Sequence, residues 1–226
     1  MIPKILLAED DSTLSFVIKD SLTDAGYEVT SAANGEDAWL EFQKKKFDLC
    51  LLDVNMPVRD GYAVAKKIRQ QSDIIPILFI TAKSLEEDKL KGFATGADDY
   101  ITKPFSIKEL IMRIEVFLRR SKKLDADIVE NYQIGKLNFV HNELKIYVGN
   151  EAISLTQKEA DLLKFLAQNN NKILKREEVL LNVWGKDDYF LGRSMDVFIT
   201  KLRKHFKADP NINLETIHGV GFRLNS

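Results

Sequence analysis

Residues 49–61 read Leu49-Cys50-Leu51-Leu52-Asp53-Val54-Asn55-Met56-Pro57-Val58-Arg59-Asp60-Gly61. Four apolar residues in a row, with no polar alternation, form a strand covered on both faces, as strands of a parallel sheet are. Asp53 follows that strand, and Asp60-Gly61 opens the next helix. An acid therefore stands at the carboxyl end of a strand, where open parallel sheets gather their function.

The same beat extends to both sides. Strand-forming runs occur at Lys4–Ala8, Tyr27–Ser31, Ile77–Thr81 and Asp99–Thr102. Amphipathic stretches of helical period lie between and after the strands, at Thr13–Ala25, Glu36–Lys45, Tyr62–Gln71, Glu86–Thr95 and Ile107–Arg120. Gly26, Asn34-Gly35 and Gly96 punctuate the alternation. Five such units predict a doubly wound α/β domain over residues 1–120. Ser121 to Glu130 is mostly charged and without period, and reads as a linker. Beyond it the pattern changes to short antiparallel strands at Tyr132–Phe139, Glu143–Val148 and Ala152–Leu155. Helices follow at Lys158–Gln168, Arg176–Trp184 and Ser194–Lys207, the first opened by a capping box of Thr156 and Glu159. A hairpin of Leu214–His218 and Gly221–Leu224 ends an α+β domain over residues 131–226.

Bulk properties narrow the classes. The chain has 226 residues, 45 % apolar and 30 % charged, enough for two cores. No run approaches the ~20 apolar residues that span a bilayer, and the amino-terminal apolar stretch is too short for a secretory signal. The one cysteine, Cys50, sits in an apolar run, so a reducing, cytoplasmic setting is expected. His141, His205 and His218 lack metal-ligand spacing. Net charge is −1, but residues 131–226 carry 14 Lys and Arg against 11 Asp and Glu, while residues 1–130 carry 19 against 23. An acidic half joined to a basic half points to two tasks, the second involving nucleic acid.

At the strand ends, Glu9, Asp10 and Asp11 follow the first strand, Asp53 the third, Thr81 the fourth and Lys103 the fifth. Converging carboxylates repel unless a cation neutralises them, and a dense set of hard oxygens suits Mg²⁺ completed by a phosphate. Asp53 is then a carboxylate nucleophile, Lys103 a cation for phosphoryl oxygens and Thr81 a hydroxyl donor. Taken singly, Asp11 reads as a helix N-cap, Thr81 as a strand residue and Lys103 as a solvated lysine. It is their occurrence together that favours chemistry.

Ile5-Leu6-Leu7-Ala8-Glu9-Asp10-Asp11, Leu52-Asp53-Val54-Asn55-Met56-Pro57 with Asp60-Gly61, Ile80-Thr81-Ala82, and Tyr100-Ile101-Thr102-Lys103-Pro104-Phe105 resemble the receiver domain of two-component response regulators. The resemblance implies a flavodoxin-like sheet of strand order 2-1-3-4-5. It implies Asp53 as phosphoacceptor, Mg²⁺ held by Glu9, Asp10, Asp53 and the Asn55 carbonyl, and Thr81 and Lys103 on the phosphoryl group. It also implies a cis peptide before Pro104 and Tyr100 as the aromatic that turns inward on activation. Asn55 and Lys83 flank the route of a hydrolytic water and are expected to tune phosphate lifetime. In the OmpR/PhoB-type subfamily, matching charges pair across an activated homodimer. By that likeness Lys89 faces Glu109, Asp98 and Asp99 face Arg120 and Arg113, and Ile107, Leu110 and Ile111 supply an apolar centre.

In the second half, Ser194–Lys207 is apolar on one side and ringed by Arg193, Lys201, Arg203, Lys204 and Lys207, which suits a helix lying in a major groove. Leu155-Thr156 with Glu159 and Leu162-Leu163, Val183-Trp184-Gly185, Arg193-Ser194-Met195-Asp196-Val197 with Lys201-Leu202-Arg203-Lys204, and Gly219-Val220-Gly221-Phe222-Arg223 resemble the OmpR/PhoB-type winged helix-turn-helix. That resemblance implies base contacts near Val197, Thr200 and Lys201, and phosphate anchoring by Arg193, Arg203 and Lys204, with Ser194 beside them. Phe198 stands where His is frequent, and His218 holds the wing tip where Arg is frequent. Loop 186–192 corresponds to a polymerase-contacting loop.

The expected function is a DNA-binding transcriptional regulator, not an enzyme. It takes phosphate from a sensor histidine kinase, dimerises on double-stranded promoter DNA at half-sites about 10–10.5 bp apart, and meets RNA polymerase. A hydrolase acting at the acidic site is disfavoured, because no Gly-rich phosphate loop exists and Asp53-Val54-Asn55 lacks a second acid. The alternative is an atypical regulator that binds DNA whether or not it is phosphorylated.

Overall fold

The computed structural model describes residues 2–72, 74–82, 95–122, 130–185 and 189–226, with side chains left out at 119–122 and 189–194. It divides into two compact units, Met1–Lys123 and Leu124–Ser226.

Unit 1 holds β1 (Lys4–Ala8), α1 (Ser12–Asp24), β2 (Glu28–Ala32), α2 (Gly35–Lys44), β3 (Leu49–Asp53), α3 (Gly61–Gln71), β4 (Ile77–Thr81), β5 (Asp99–Thr102) and α4 (Ile107–Lys122). The five strands are all parallel in order β2-β1-β3-β4-β5. Side-chain alternation sends Ile5, Leu7, Leu49, Leu51, Leu78 and Ile80 to one face, where Ile18 and Leu22 of α1 and Ile114 and Phe117 of α4 cover them. On the opposite face Phe79 meets Tyr62 of α3 edge-on, with ring centroids 5.2 Å apart. The helix starts are fixed locally. Asn34 accepts from the N–H groups of Glu36 and Asp37, Asp60 accepts from that of Ala63, and Asp11 caps α1 through Thr13 and Leu14.

Cys50 lies fully buried in β3, and burial pushes its thiol up to about 12, leaving it an inert core residue. The predicted helix Glu86–Thr95 falls outside the described residues except Thr95, which lies in a turn. Leu110, expected at an apolar dimer centre, is instead fully buried in the core, with Ile107 and Ile111 packed against that core.

Unit 2 begins with a four-stranded antiparallel sheet of β6 (Asn131–Ile134), β7 (Leu137–Val140), β8 (Lys145–Val148) and β9 (Glu151–Ser154). The single strand predicted at Tyr132–Phe139 is two, folded back at Gly135-Lys136. Gly135 has φ +54°, and a Cβ there would press on Asp209 Oδ2, which accepts a 2.7 Å hydrogen bond from the Lys136 N–H. Next come α5 (Gln157–Gln168) with its Thr156/Glu159 capping box, β10 (Leu174–Lys175), α6 (Arg176–Trp184) and α7 (Tyr189–Phe206). Strands β11 (Asn213–Ile217) and β12 (Gly221–Asn225) close the chain, with β12 paired to β10 and β11. Helix α7 starts five residues earlier than expected, so 189–192, assigned above to a loop, are helical. Among the described residues no helix is long and apolar enough to cross a membrane.

Candidate functional site

The carboxyl ends of β1, β3, β4 and β5 converge because the four strands are hydrogen-bonded neighbours in register: Ala8 with Leu52, Asp53 with Ile80, and Thr81 with Thr102. Glu9, Asp10 and Asp53 each bring a carboxylate oxygen within 4.8 Å of the others. Glu9 and Asp53 are buried and Asp10 is exposed, so the cluster opens to solvent on one side. Lys103 reaches into it from the end of β5. Its Nζ lies 2.6 Å from Asp53 Oδ2 and 2.8 Å from Glu9 Oε2. Thr81 is buried at the end of β4, and the Lys103–Pro104 peptide is cis.

Burial pushes the Glu9 carboxyl above its ordinary range, partly offset by the hydrogen bond from Lys103. Burial also works against the Lys103 charge, but hydrogen bonds to Asp53 and Glu9 outweigh it and hold the ammonium above its usual range. Two of the three acids, Glu9 and Asp53, therefore share one ammonium, and the donor set is entirely hard oxygen. Carboxylate oxygens that all lie within 4.8 Å of one another can converge on one small divalent cation such as Mg²⁺, which takes oxygen ligands. Glu9, Asp10 and Asp53 fit it.

The loop after Asp53 is tied back to it. The Asn55 N–H donates to Asp53 Oδ1 at 2.9 Å, and the Gly61 N–H donates to the Val54 carbonyl at 3.1 Å. A Cβ on Gly61 would overlap the Asp53 carbonyl oxygen, a close approach that only the glycine at the start of α3 could have signalled in sequence. Val58, in the same loop, is 84 % exposed and has φ +66°. A β-branched side chain is strained in that conformation. Val58→Gly is expected to raise stability by about 0.5–1 kcal/mol, the relief outweighing the added unfolded-state entropy, and urea unfolding checks it.

Tyr100 is buried, its ring edge-on to Phe79 and its hydroxyl 3.3 Å from that of Tyr62. Of the charged residues assigned above to a dimer face, Asp98, Asp99, Glu109 and Arg113 make contacts within the chain. Arg113 reaches Asp99 at 2.6 Å and Glu109 at 2.7 Å, and it is held above its usual range chiefly by the Asp99 charge against the opposing effect of burial. Asp98, expected to face Arg120, is 1 % exposed. It accepts from Arg69 at 2.7 Å and from the Ile77 N–H at 2.9 Å. The same guanidinium also binds the Gly96, Ser72 and Ile75 carbonyls, so it draws Asp98 inward. Lys83 and Lys89 and the side chain of Arg120 lie outside the described residues.

In unit 2, Met195, Phe198, Ile199, Leu202 and Phe206 bury one side of α7. Phe198 is fully buried against Trp184, with centroids 5.7 Å apart, so the change from His does not bear on base contact. Val197 is half-buried, and Thr200 and Lys204 are exposed. Thr200 donates to the Asp196 carbonyl, and Lys201 lies 3.5 Å from Glu159. Arg203 donates to the Leu214 carbonyl at 2.7 Å and to Thr216 Oγ1 at 2.8 Å, which braces the β11–β12 hairpin against α7. His218 is exposed at the turn of that hairpin. The side chains of Arg193 and Ser194 are outside the described residues.

Comparison with known families matches residues 5–115 to the response regulator receiver domain and residues 149–224 to the C-terminal domain of transcriptional regulatory proteins. The transcriptional regulatory protein RprY of Bacteroides fragilis is 45 % identical over 221 residues, covering 98 % of this chain and 94 % of RprY. The response regulator ArlR of Staphylococcus aureus is 39 % identical over 97 % of this chain and 98 % of ArlR. Among solved structures, the Thermotoga maritima OmpR/PhoB homologue DrrB covers both chains fully at 30 % identity, with a TM-score of 0.53. The chain therefore belongs to the OmpR/PhoB-type response regulators, transcription regulators that join a phosphoaccepting receiver domain to a winged-helix DNA-binding domain.

Proposed function

We propose that Asp53 takes a phosphoryl group from the phosphohistidine of a sensor histidine kinase, and that the phosphorylated protein binds promoter DNA as a homodimer. The observation that carries this reading is the ammonium of Lys103 set between Asp53 and Glu9 at 2.6 and 2.8 Å. In the transfer, an Asp53 carboxylate oxygen forms a bond to phosphorus as the bond from phosphorus to the histidine nitrogen breaks, and the leaving imidazole takes a proton from solvent. Lys103 and the Thr81 hydroxyl hold the phosphoryl oxygens in line. Mg²⁺, held by Glu9, Asp10, Asp53 and the Asn55 carbonyl, would neutralise the charge that the carboxylates and the phosphate bring together.

The added charge, about −1.5 to −2, competes for Lys103 and draws Thr81 and then Tyr100 towards the site. Asp99, Glu109 and Arg113, with Lys89, Asp98 and Arg120, supply the charges of the dimer face. The Asp99–Arg113 pair would exchange within-chain for between-chain partners, whereas Asp98 would first have to leave Arg69. In unit 2, Val197, Thr200 and Lys201 contact bases, Arg193, Ser194 and Lys204 anchor phosphates, and His218 leads the wing. Arg203 holds the hairpin in addition to any phosphate it meets. RNA polymerase is the partner at the start of α7.

The test is incubation with Mg²⁺ and a small acyl phosphate, followed by intact mass and DNA-binding affinity. The wild type should gain one phosphoryl group and bind promoter DNA more tightly, and Asp53→Asn should do neither. An unmodified wild type would refute the reading, and phosphorylation without tighter binding would favour the phosphate-independent alternative.

A further inference from the structure

Tyr62 has no part in the function proposed above, yet it links the phosphoacceptor to the switch aromatic. It is the second residue of α3 and is 5 % exposed. Gly61, the residue before it, is pressed against the Asp53 backbone so closely that no Cβ fits, and its N–H is bonded to Val54. From that position Tyr62 stacks edge-on against Phe79 of β4, which stacks in turn against Tyr100 of β5, its register partner. The Tyr62 and Tyr100 hydroxyls meet at 3.3 Å among buried groups.

We propose that Tyr62 is a positioning residue whose hydroxyl holds Tyr100 inward and ties that rotamer to the segment carrying Asp53. This rests on the reading of Tyr100 as the switch. An inward Tyr100 brings a polar hydroxyl into an apolar layer formed by Phe79 and the start of α3, and burying such a group is unfavourable unless it finds a partner. Tyr62 provides one that a phenylalanine or leucine at this position could not. The distance is long for an O–H···O bond, which sets the scale at several-fold rather than hundred-fold. A few-fold bias is what a switch can use, because an overwhelming preference would leave phosphorylation nothing to shift. The link also has a direction. Movement of the Asp53 backbone pushes on Gly61 and so on the base of the Tyr62 side chain, giving the phosphorylation site a second route to Tyr100 beside Thr81.

Tyr62→Phe keeps the ring and its contact with Phe79 while deleting one hydroxyl. The first readout is direct: ring carbon signals of labelled tyrosines in the full-length protein, with a soluble paramagnetic agent reporting exposure. In Tyr62→Phe the relaxation of the Tyr100 ring by the agent should rise about three- to five-fold, with the thermal midpoint little changed. The second readout is promoter affinity. Unphosphorylated Tyr62→Phe should bind about five-fold more weakly than wild type, and the phosphorylated forms should differ by less than two-fold. The losses of Tyr62→Phe and Tyr100→Phe should not add in the double variant, because the two substitutions share the bond between the hydroxyls.

An unchanged Tyr100 ring in Tyr62→Phe overturns the proposal, and so do losses that add in the double variant. Failure of the wild type to take up phosphate would refute the phosphoacceptor reading instead, and the ring measurement would still decide the role of Tyr62.

Discussion

Lys103→Met, measured in chelator, is expected to lower the stability of unit 1 by about 2–4 kcal/mol, and millimolar Mg²⁺ is expected to restore most of the loss. Methionine keeps the length of the stem and removes only the charge. In the wild type the ammonium lies 2.6 Å from Asp53 and 2.8 Å from Glu9, acids 3 % and 1 % exposed. Breaking a buried pair leaves an uncompensated charge, a loss of about 3–5 kcal/mol when both partners are fully buried. Lys103 retains 22 % of its side-chain exposure, which pulls the figure down. The loss is further capped because Glu9 already sits above the ordinary carboxylate range and escapes by taking a proton. A divalent cation supplies the missing positive charge, so Mg²⁺ should also bind the variant more tightly than the wild type, by about ten-fold. Urea unfolding with and without Mg²⁺ checks both statements. A variant as stable as the wild type in chelator would show that the ammonium is not what keeps the two acids together.

The receiver half was legible because its information is local. An unbroken apolar run such as Leu49–Leu52 declares a doubly covered strand, and Asp60-Gly61 declares the helix start that Asp60 caps. The acids and Lys103 could be assembled from sequence only because a parallel sheet delivers every strand end to the same edge. Contacts that depend on distant partners carried no such mark. Arg69 and Asp98 are 29 residues apart, and neither neighbourhood says that one draws the other into the interior. Leu110 reads as an exposed-face candidate because helical periodicity fixes which residues share a face but not how wide the buried stripe is.

The second half was less legible where turns are built from unexceptional residues. Residues 132–139 contain one glycine and no proline or Asn-Gly pair, so the run reads as a single strand. The reversal at Gly135-Lys136 is stabilised from 73 residues away by Asp209, which accepts from the Lys136 N–H. That interaction holds the Asp209 carboxyl below its usual range, the backbone hydrogen bond from Lys136 being the largest cause. The two-residue strand β10 was missed for the same reason, because its pairing to β12 is decided by the end of the chain.

Gly61→Ala is expected to destabilise unit 1 by about 3 kcal/mol and to impair phosphorylation of the molecules that remain folded. Alanine is ordinarily the better residue inside a helix by about 1 kcal/mol, so propensity alone predicts stabilisation. Packing reverses the sign. The new methyl carbon would overlap the Asp53 carbonyl oxygen, sit 2.9 Å from its carbonyl carbon and 3.1 Å from Val54 Cα. All three neighbours are backbone, which cannot swing aside as a side-chain tip can, so either α3 lifts from the sheet or the β3 end shifts. Lifting α3 breaks the Gly61 N–H to Val54 bond and withdraws Tyr62 from Phe79. Shifting β3 moves Asp53 relative to Lys103, and displacements of an ångström in such a site slow group transfer by about a hundred-fold. The check pairs thermal unfolding with the rate of phosphorylation by a small acyl phosphate at a temperature where the variant is folded. A midpoint within two degrees of wild type would mean that the close approach of α3 to β3 is not a constraint on this fold.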